Sequence, residues 1–374
     1  MNSGPVREES APTRSIANLA EQIAALPADE RIRADRLLHV SEETGGLKAP
    51  PTMHDWIVSH FGAVAAVEQQ HIVRTTNLVT FEGAVFNTLR AQRPFDHATS
   101  SDVDSMMDAA IYEAEGDPFC HPLEGTPEDI FGRLRGEAGM TASNIAKYAA
   151  FHAVIVFKEH HPLRFDRASI ADTIDLGCRW GQQVIRVDPE SKYWFFMWNC
   201  LWKAGASIVH GHAQVSAVKG MHYPKIEALR RQAEAYRVAH QVNYFDDLVG
   251  LHRTLGLAVD EGDTTILSSL TPVKEKEVLL VAPSLTDDLM RAIGRVLDCF
   301  VSQLGVTSFN VGLYSRPLGP TPEDWAGFPC LVRIVDRGPL TTRTTDVGAM
   351  ELYAASVVSS DPFRIADALR ESTD

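Results

Sequence analysis

The sequence predicts an α+β fold built from two copies of one unit, in which sheet is flanked by helices. The first observation is a repeat: strand, helix, strand, strand occurs at 153–157, 168–185, 193–198 and 208–217, and again at 278–282, 287–304, 309–314 and 331–335. The second is the clarity of the helix in the second copy. Thr286 is a good N-cap, Asp287 and Asp288 suit the first turn, and Leu289, Ile293, Val296, Leu297 and Phe300 form one apolar stripe before Gly305. The third is composition, since 374 residues with 45% hydrophobic and 22% charged content allow one large or two ordinary domains with ample core.

In chain order, 1–70 is expected to be a helical extension, because 16–38 has amphipathic helical spacing before Gly45-Gly46 and Pro50-Pro51 interrupt it. A short helix at 55–61 and extended chain at 72–86 follow. Residues 71–220 then form one half. Ile170, Ile174, Cys178 and Ile185 give its helix a buried face, Pro189 ends it, and 193–198 returns as an apolar, aromatic strand. Residues 221–374 form the other half, with a helix at 225–241 and strands at 264–270 and 277–282 ahead of its repeat, and a closing helix at 366–370.

The formal charge of −14 argues against nucleic acid or an anionic membrane as partner, because both need basic patches. No apolar run approaches bilayer length, and residues 1–13 are too polar and acidic for a secretion signal, so a cytoplasmic location is expected. Five scattered cysteines, odd in number and mostly in apolar segments, fit reduced buried thiols.

The chemistry concentrates in Ala204-Gly205-Ala206-Ser207-Ile208-Val209-His210-Gly211-His212-Ala213-Gln214-Val215. Strand alternation puts His210, His212 and Gln214 on one face and leaves Val209 and Val215 to bury. A neutral imidazole is a nucleophile near pH 7, so His212 is suited to attack phosphorus, and the Gln214 amide can donate to phosphoryl oxygens without acting as a base toward water. Two histidines at this spacing serve equally as a metal-ligand pair or as polar residues on a solvated face.

The flanking run Asn199-Cys200-Leu201-Trp202-Lys203-Ala204-Gly205-Ala206-Ser207 brings the motif into register with a family. The segment resembles the one preceding the active-site histidines of galactose-1-phosphate uridylyltransferases and related nucleotidyltransferases of the histidine triad superfamily, whose fold is a duplicated, antiparallel histidine triad unit. The resemblance implies that His212 is the nucleophile that becomes nucleotidylated, that Gln214 assists at phosphorus, and that Asn199 and Ser207 bind phosphates, with Gly205 in the same loop. Where the family usually has proline between the histidines, this chain has Gly211, which implies a looser backbone. Arg90 and Arg93 in Leu89-Arg90-Ala91-Gln92-Arg93 match the family's phosphate-approaching arginines, a pair that by itself also suits a surface turn. Asn144 matches an asparagine near the ribose and base, and Glu351 matches the glutamate of the family's C-terminal Gly-x-x-Glu segment, a substrate-binding position followed in the family by a glycine-containing loop that reaches the sugar phosphate, often of the neighbouring subunit.

Asp117-Pro118-Phe119-Cys120 resembles the family's Cys-x-x-Cys zinc knuckle with Asp117 in place of the first cysteine. The resemblance implies zinc as the cofactor, held by Asp117, Cys120, His161 and His210, with no organic cofactor. Glu227 lies near a second metal ligand of some relatives, but 331–335 carries no histidine, so a second metal site and second-half nucleophilic chemistry are not expected. Beyond Glu351 the chain reads Tyr353-Ala354-Ala355 where the family has a glycine-containing loop, which leaves the acceptor open. The expected protein is a homodimeric nucleotidyltransferase that moves a nucleoside monophosphate from a nucleoside-diphosphate sugar to a sugar 1-phosphate or phosphate. A phosphorylase with an adenylyl or guanylyl donor and a non-catalytic nucleotide-binding protein are the alternatives.

Overall fold

The computed structural model describes residues 14–87, 89–90, 100–342 and 345–372, of which 100–104 are described by backbone alone. Its centre is a nine-stranded sheet. In chain order the thirteen strands are β1 (Leu38–Gly46), β2 (Gln69–Asn77), β3 (Gly83–Phe86), β4 (Gly139–Ser143), β5 (Phe151–Phe157), β6 (Tyr193–Asn199), β7 (His212–Val218), β8 (Ala258–Glu261), β9 (Thr264–Ser268), β10 (Val278–Ala282), β11 (Phe309–Tyr314), β12 (Cys330–Asp336) and β13 (Ser356–Val358). The large sheet runs β4-β5-β7-β6-β11-β12-β10-β9-β8 with every ladder antiparallel. The expected repeat is therefore present, and its two copies join through the β6–β11 ladder, where Asn199 faces Asn310 and Phe195 faces Tyr314.

Both repeat helices pack on one face of this sheet. The helix Arg167–Val187 starts at an Asp166–Ser169 capping box and buries Ile170, Ile174, Trp180 and Val184. The helix Asp287–Ser302 is capped by Thr286, whose side chain accepts the Leu289 N–H, and every residue of its expected stripe is buried. These stripes and the strand residues beneath them form one continuous core.

The opposite face is covered unevenly, and that places the site. Over the second copy lie the helices Pro224–His240 and Tyr244–Leu255 and a smaller sheet of order β1-β2-β3-β13, burying Leu229, Phe245, Leu248, Val73 and Phe86 against Leu267, Tyr314 and Leu331. Over β4 and β5, among the described residues, lies the small cluster Ala142, Val154 and Val156 with Phe119. Polar side chains of β5, β6 and β7 emerge beside that cluster.

Three features depart from the sequence reading. Gly45 and Gly46 do not interrupt the chain but end β1, which pairs along its whole length with β2, because the edge of the small sheet satisfies their backbone. The helices Ser100–Glu113 and Tyr244–Leu255 and the strands β4, β8 and β13 were not expected. The third matters most: β7 starts at His212, so 208–211 is not strand and His210 does not share the alternation of His212 and Gln214. Among the described residues no helix is long and apolar enough to cross a membrane.

Candidate active site and metal centre

His212 opens β7 opposite Val156 of β5 and is almost wholly buried. Its Nδ1–H donates to the backbone carbonyl of His210 at 2.8 Å. A carbonyl oxygen only accepts, so this bond fixes the tautomer and leaves Nε2 as a bare lone pair. Burial pulls the His212 pKa below the ordinary histidine value, against the opposing pull of the bond to the His210 carbonyl, so the ring is neutral at pH 7. The edge of Phe119, 5.3 Å away between ring centres, walls one side.

Gln214 follows two residues on, on the same face of β7. Its Oε1 accepts from His152 Nε2 at 2.9 Å and from the Tyr148 hydroxyl at 3.3 Å, which turns its NH2 group the other way as a donor. His152 is fully buried on β5 and the Tyr148 ring lies 3.9 Å from it. Burial first, then the charge of Lys147, depresses the His152 pKa. Sequence reasoning missed both residues. It began the strand at 153, two residues too late, although the alternation with Val154 and Val156 would have placed His152 on the Gln214 face.

Between β6 and β7 the chain turns through Trp202–Ala204, and Gly205 closes that turn at φ +95°, a conformation that glycine alone adopts freely. Ser207 lies exposed in the same loop, and Asn199 at the end of β6 accepts on Oδ1 from Asn310 Nδ2 at 2.7 Å. Asn144, in the β4–β5 turn, accepts the Ala146 N–H on Oδ1 and brings its Nδ2 to 3.4 Å from His152 Nε2. The structure thus gathers Asn144, His212 and Gln214 around β5 and β7, with Asn199 and Gly205 in the adjoining loop. Arg90 is half-buried in the turn after β3, and Arg93 lies outside the described residues. Glu351 accepts the Gly348 N–H and, with Arg333 and Lys274, lines a 550 Å³ cavity between the second half and the β2–β3 turn, a cavity that neither His212 nor Gln214 lines.

The candidate metal ligands sit directly behind His212. Cys120 Sγ is 3.3 Å from His160 Nδ1 and 3.6 Å from His210 Nδ1, and the two Nδ1 atoms are 2.9 Å apart. Each imidazole donates its Nε2–H to a backbone carbonyl, His160 to Ile111 at 3.1 Å and His210 to Phe157 at 2.9 Å. Both Nδ1 atoms therefore carry bare lone pairs, and the Cys120 thiol can donate to only one of them, so two lone pairs 2.9 Å apart repel unless a proton or a metal cation lies between them. Tetrahedral zinc, with bonds of about 2.05 Å to nitrogen and 2.3 Å to sulfur, sets about 3.3 Å between the nitrogens and about 3.6 Å between nitrogen and sulfur, so the sulfur already sits near its place and the two Nδ1 atoms, 2.9 Å apart, would spread by a few tenths of an ångström. The donor set fits that ion.

Of the expected ligands, Cys120 and His210 converge, and His160 takes the place given to His161. His161 Nδ1 accepts the Leu163 N–H at 3.1 Å, so the turn after β5 commits it elsewhere. Asp117 Oδ1 lies 4.0 Å from His210 Nδ1 while accepting the N–H groups of Phe119 and Cys120, and its Oδ2 is buried without a partner. That orphaned oxygen is the fourth group able to turn to a cation. Gly211, read as a loose point, is tightly packed: a Cβ there would meet Phe157 Cδ2 at 2.8 Å, and its N–H donates to His160 O. A proline could not make that bond. Glu227 forms no part of a metal group but pairs with Arg230 and Arg231.

No protein-family model matches the sequence, and no curated protein matches it significantly. Solved structures do match. An ADP-glucose phosphorylase from Arabidopsis thaliana with bound ADP-glucose shares 16% identity over 80% of this chain and 98% of its own, with a TM-score of 0.60. A GalT-like protein from Arabidopsis thaliana shares 16% over 69% and 93%, with a TM-score of 0.55, and a uridylyltransferase shares 15% over 66% and 88%, with a TM-score of 0.54. At such identities the likeness speaks to architecture: this chain shares the α+β fold of these solved structures.

Proposed function

We propose that the chain is a nucleotidyltransferase that works through a nucleotidylated His212. The observation that carries this reading is the Nδ1–H bond to His210 O, which holds a neutral ring with its Nε2 lone pair bare. In the first step that lone pair bonds to the α-phosphorus of a nucleoside-diphosphate sugar. The phosphorus–oxygen bond to the sugar phosphate breaks and its electron pair departs with the sugar 1-phosphate. The phosphorylated ring is cationic, and its Nδ1–H points at the His210 carbonyl dipole, which offsets the charge. In the second step a phosphate oxygen of the acceptor attacks phosphorus and the nitrogen–phosphorus bond breaks, returning a neutral His212. No proton is gained or lost over the cycle.

Gln214 contributes N–H groups to the phosphoryl oxygens, and Asn199, Ser207 and the Gly205 backbone bind phosphate, with Asn144 toward the nucleoside. Arg90, Arg93 and Glu351 complete the substrate contacts in a homodimer. A zinc ion held by Cys120, His160 and His210, with Asp117 beside them, would supply rigidity to the chain on either side of His212. A second reading takes inorganic phosphate as the acceptor. It is favoured by the ADP-glucose phosphorylase among the structural relatives and by Tyr353-Ala354-Ala355 in place of a glycine-containing sugar-phosphate loop.

The test is covalent labelling. Donors labelled at the α-phosphate, UDP-glucose and ADP-glucose first, are expected to leave an acid-labile, alkali-stable label on the protein that His212→Asn abolishes. A label that persists in that variant overturns the assignment, and no label from any donor favours a nucleotide-binding protein without turnover.

A further inference from the structure

The second half has no histidine on β12, yet it reaches into the loop that precedes His212. Across the β6–β11 ladder, Asn310 Nδ2 donates to Asn199 Oδ1 at 2.7 Å and to the backbone carbonyl of Ala204 at 2.9 Å. Asn310 Oδ1 accepts from Arg337 Nη1 at 2.6 Å. Arg337 is in turn gripped by both oxygens of Asp346, at 2.7 Å from Nε and 2.8 Å from Nη2, and Lys274 donates to the Asp346 backbone carbonyl.

The direction of each bond in this relay is forced. A guanidinium can only donate, so the Asn310 atom facing Arg337 is its oxygen. A backbone carbonyl can only accept, so the Asn310 atom facing Ala204 is its nitrogen. Both ends agree, and Asn199 must therefore accept through Oδ1 and present its own NH2 group away from the relay. Two further bonds tie the same strand ends together, from Cys200 N–H to Phe309 O at 2.9 Å and from the Ser308 hydroxyl to Cys200 O at 2.7 Å.

We infer that Asn310 and Arg337 are positioning residues for phosphate binding: they fix the Asn199 amide so that N–H, and not the carbonyl oxygen, faces the substrate's phosphates. The inference rests on the proposed phosphate role of Asn199, and it gives the second half a part in the site that its own strands do not supply. An asparagine amide is nearly symmetric in shape, so without the relay both orientations are available, and one of them sets an oxygen against an anion.

The decisive variant is Asn310→Asp. The carboxylate keeps its bond from Arg337 but offers only an acceptor to Asn199, whose amide must turn over to donate to it and so presents oxygen to phosphate. Donor KM for adduct formation is expected to rise tenfold or more, the scale of a lost hydrogen bond to a charged group. Asn310→Ala, which frees the amide without inverting it, is expected to have a smaller effect. In an Asn199→Ala background, Asn310→Asp is expected to add less than twofold. An equal effect in both backgrounds would reduce Asn310 to a structural role, and wild-type KM in Asn310→Asp would overturn the inference outright. Should Asn310→Asp not fold, the same cycle is run with Asn310→Ala. If wild type takes no label from any donor, the functional reading fails separately. The relay is then read from side-chain-labelled asparagine: Asn310 NH2 protons that exchange slowly support it, and fast exchange overturns it.

Discussion

Acid is expected to unfold this protein through two buried histidines far from the proposed chemistry. His252, inside the helix Tyr244–Leu255, donates Nδ1–H to Leu248 O at 2.8 Å and has a buried Nε2 without a partner. His222 is packed between Tyr193 and Trp325, each 5.6 Å away between ring centres. Burial pushes both from the ordinary value of 6.5 down to about 4. A depressed histidine pKa means that the fold holds the neutral form. The stability is thus fully present above pH 6.5 and is lost as pH falls toward 4. At pH 5 a histidine titrating at about 6.5 unfolded and about 4 folded removes about 2 kcal/mol, and two remove about 4 kcal/mol from a typical total of about 5–15 kcal/mol. The assay is urea unfolding at pH 8 and pH 5. His252→Gln and His222→Gln are each expected to shrink the loss between those pH values by about 2 kcal/mol, because glutamine does not titrate. Equal losses in wild type and both variants would show that these rings ionise with little penalty and refute the reasoning.

Elemental analysis of protein purified without chelator is expected to find about one zinc ion per chain. His160→Ala should abolish it and His161→Ala should leave it, and the reverse pattern would reinstate His161 as the ligand. Gly211→Ala is expected to cost about 1–3 kcal/mol in a thermal or urea melt, because the methyl group must displace the Phe157 ring. Its adduct formation should fall as well, and an unchanged variant would mean that the contact relaxes freely. Because an amide cannot act as a general base at neutral pH, Gln214 should let the His212 adduct outlive its exposure to water. Initial-rate plots for donor and acceptor are expected to be parallel, with slow monophosphate release when acceptor is omitted. Donor hydrolysis as fast as transfer would make the protein a hydrolase.

The elements that were legible in the sequence are those whose signal is local. Thr286 with its acidic first turn and apolar stripe specifies a helix without help from the rest of the chain, and the helix at 168–185 and the strand at 309–314 announce themselves by periodicity in the same way. Strand β1 was missed because Gly45 and Gly46 break a pattern locally, while the pairing that redeems them comes from β2 across an intervening segment. The strand of the proposed nucleophile was legible because His212 and Gln214 alternate. His210 was assigned to the wrong face for a physical reason: the strand begins only at His212, and the bond from His210 Nε2 to Phe157 O turns its ring to Cys120 and His160. Nothing in Glu159-His160-His161 distinguishes the two imidazoles, since the choice is made by the turn after β5 and by Ile111 O, far off in sequence.

The division of labour between the halves follows from the register of their ladders. On β7, His212 faces Val156 and Gln214 faces Val154, and His152, two residues before Val154, bonds to Gln214. On β12, Leu331 faces Val281 and Arg333 faces Leu279, and Glu277, two residues before Leu279, bonds to Arg333 at 2.7 Å. The same diagonal contact therefore recurs, with Leu331, Arg333 and Glu277 standing where His212, Gln214 and His152 stand. Leucine has no lone pair to offer phosphorus, so the second copy cannot form the adduct. Arg333 is committed as well, because Glu82 takes its Nη1 at 2.6 Å and its Nη2 at 3.2 Å in addition to Glu277. Removing one partner of such a buried group would strand the others without compensation, which keeps the cluster as a rigid ionic core. The second copy instead turns polar strand ends toward the first, and the Asn310–Asn199 pair at the seam is where it meets the proposed phosphate site.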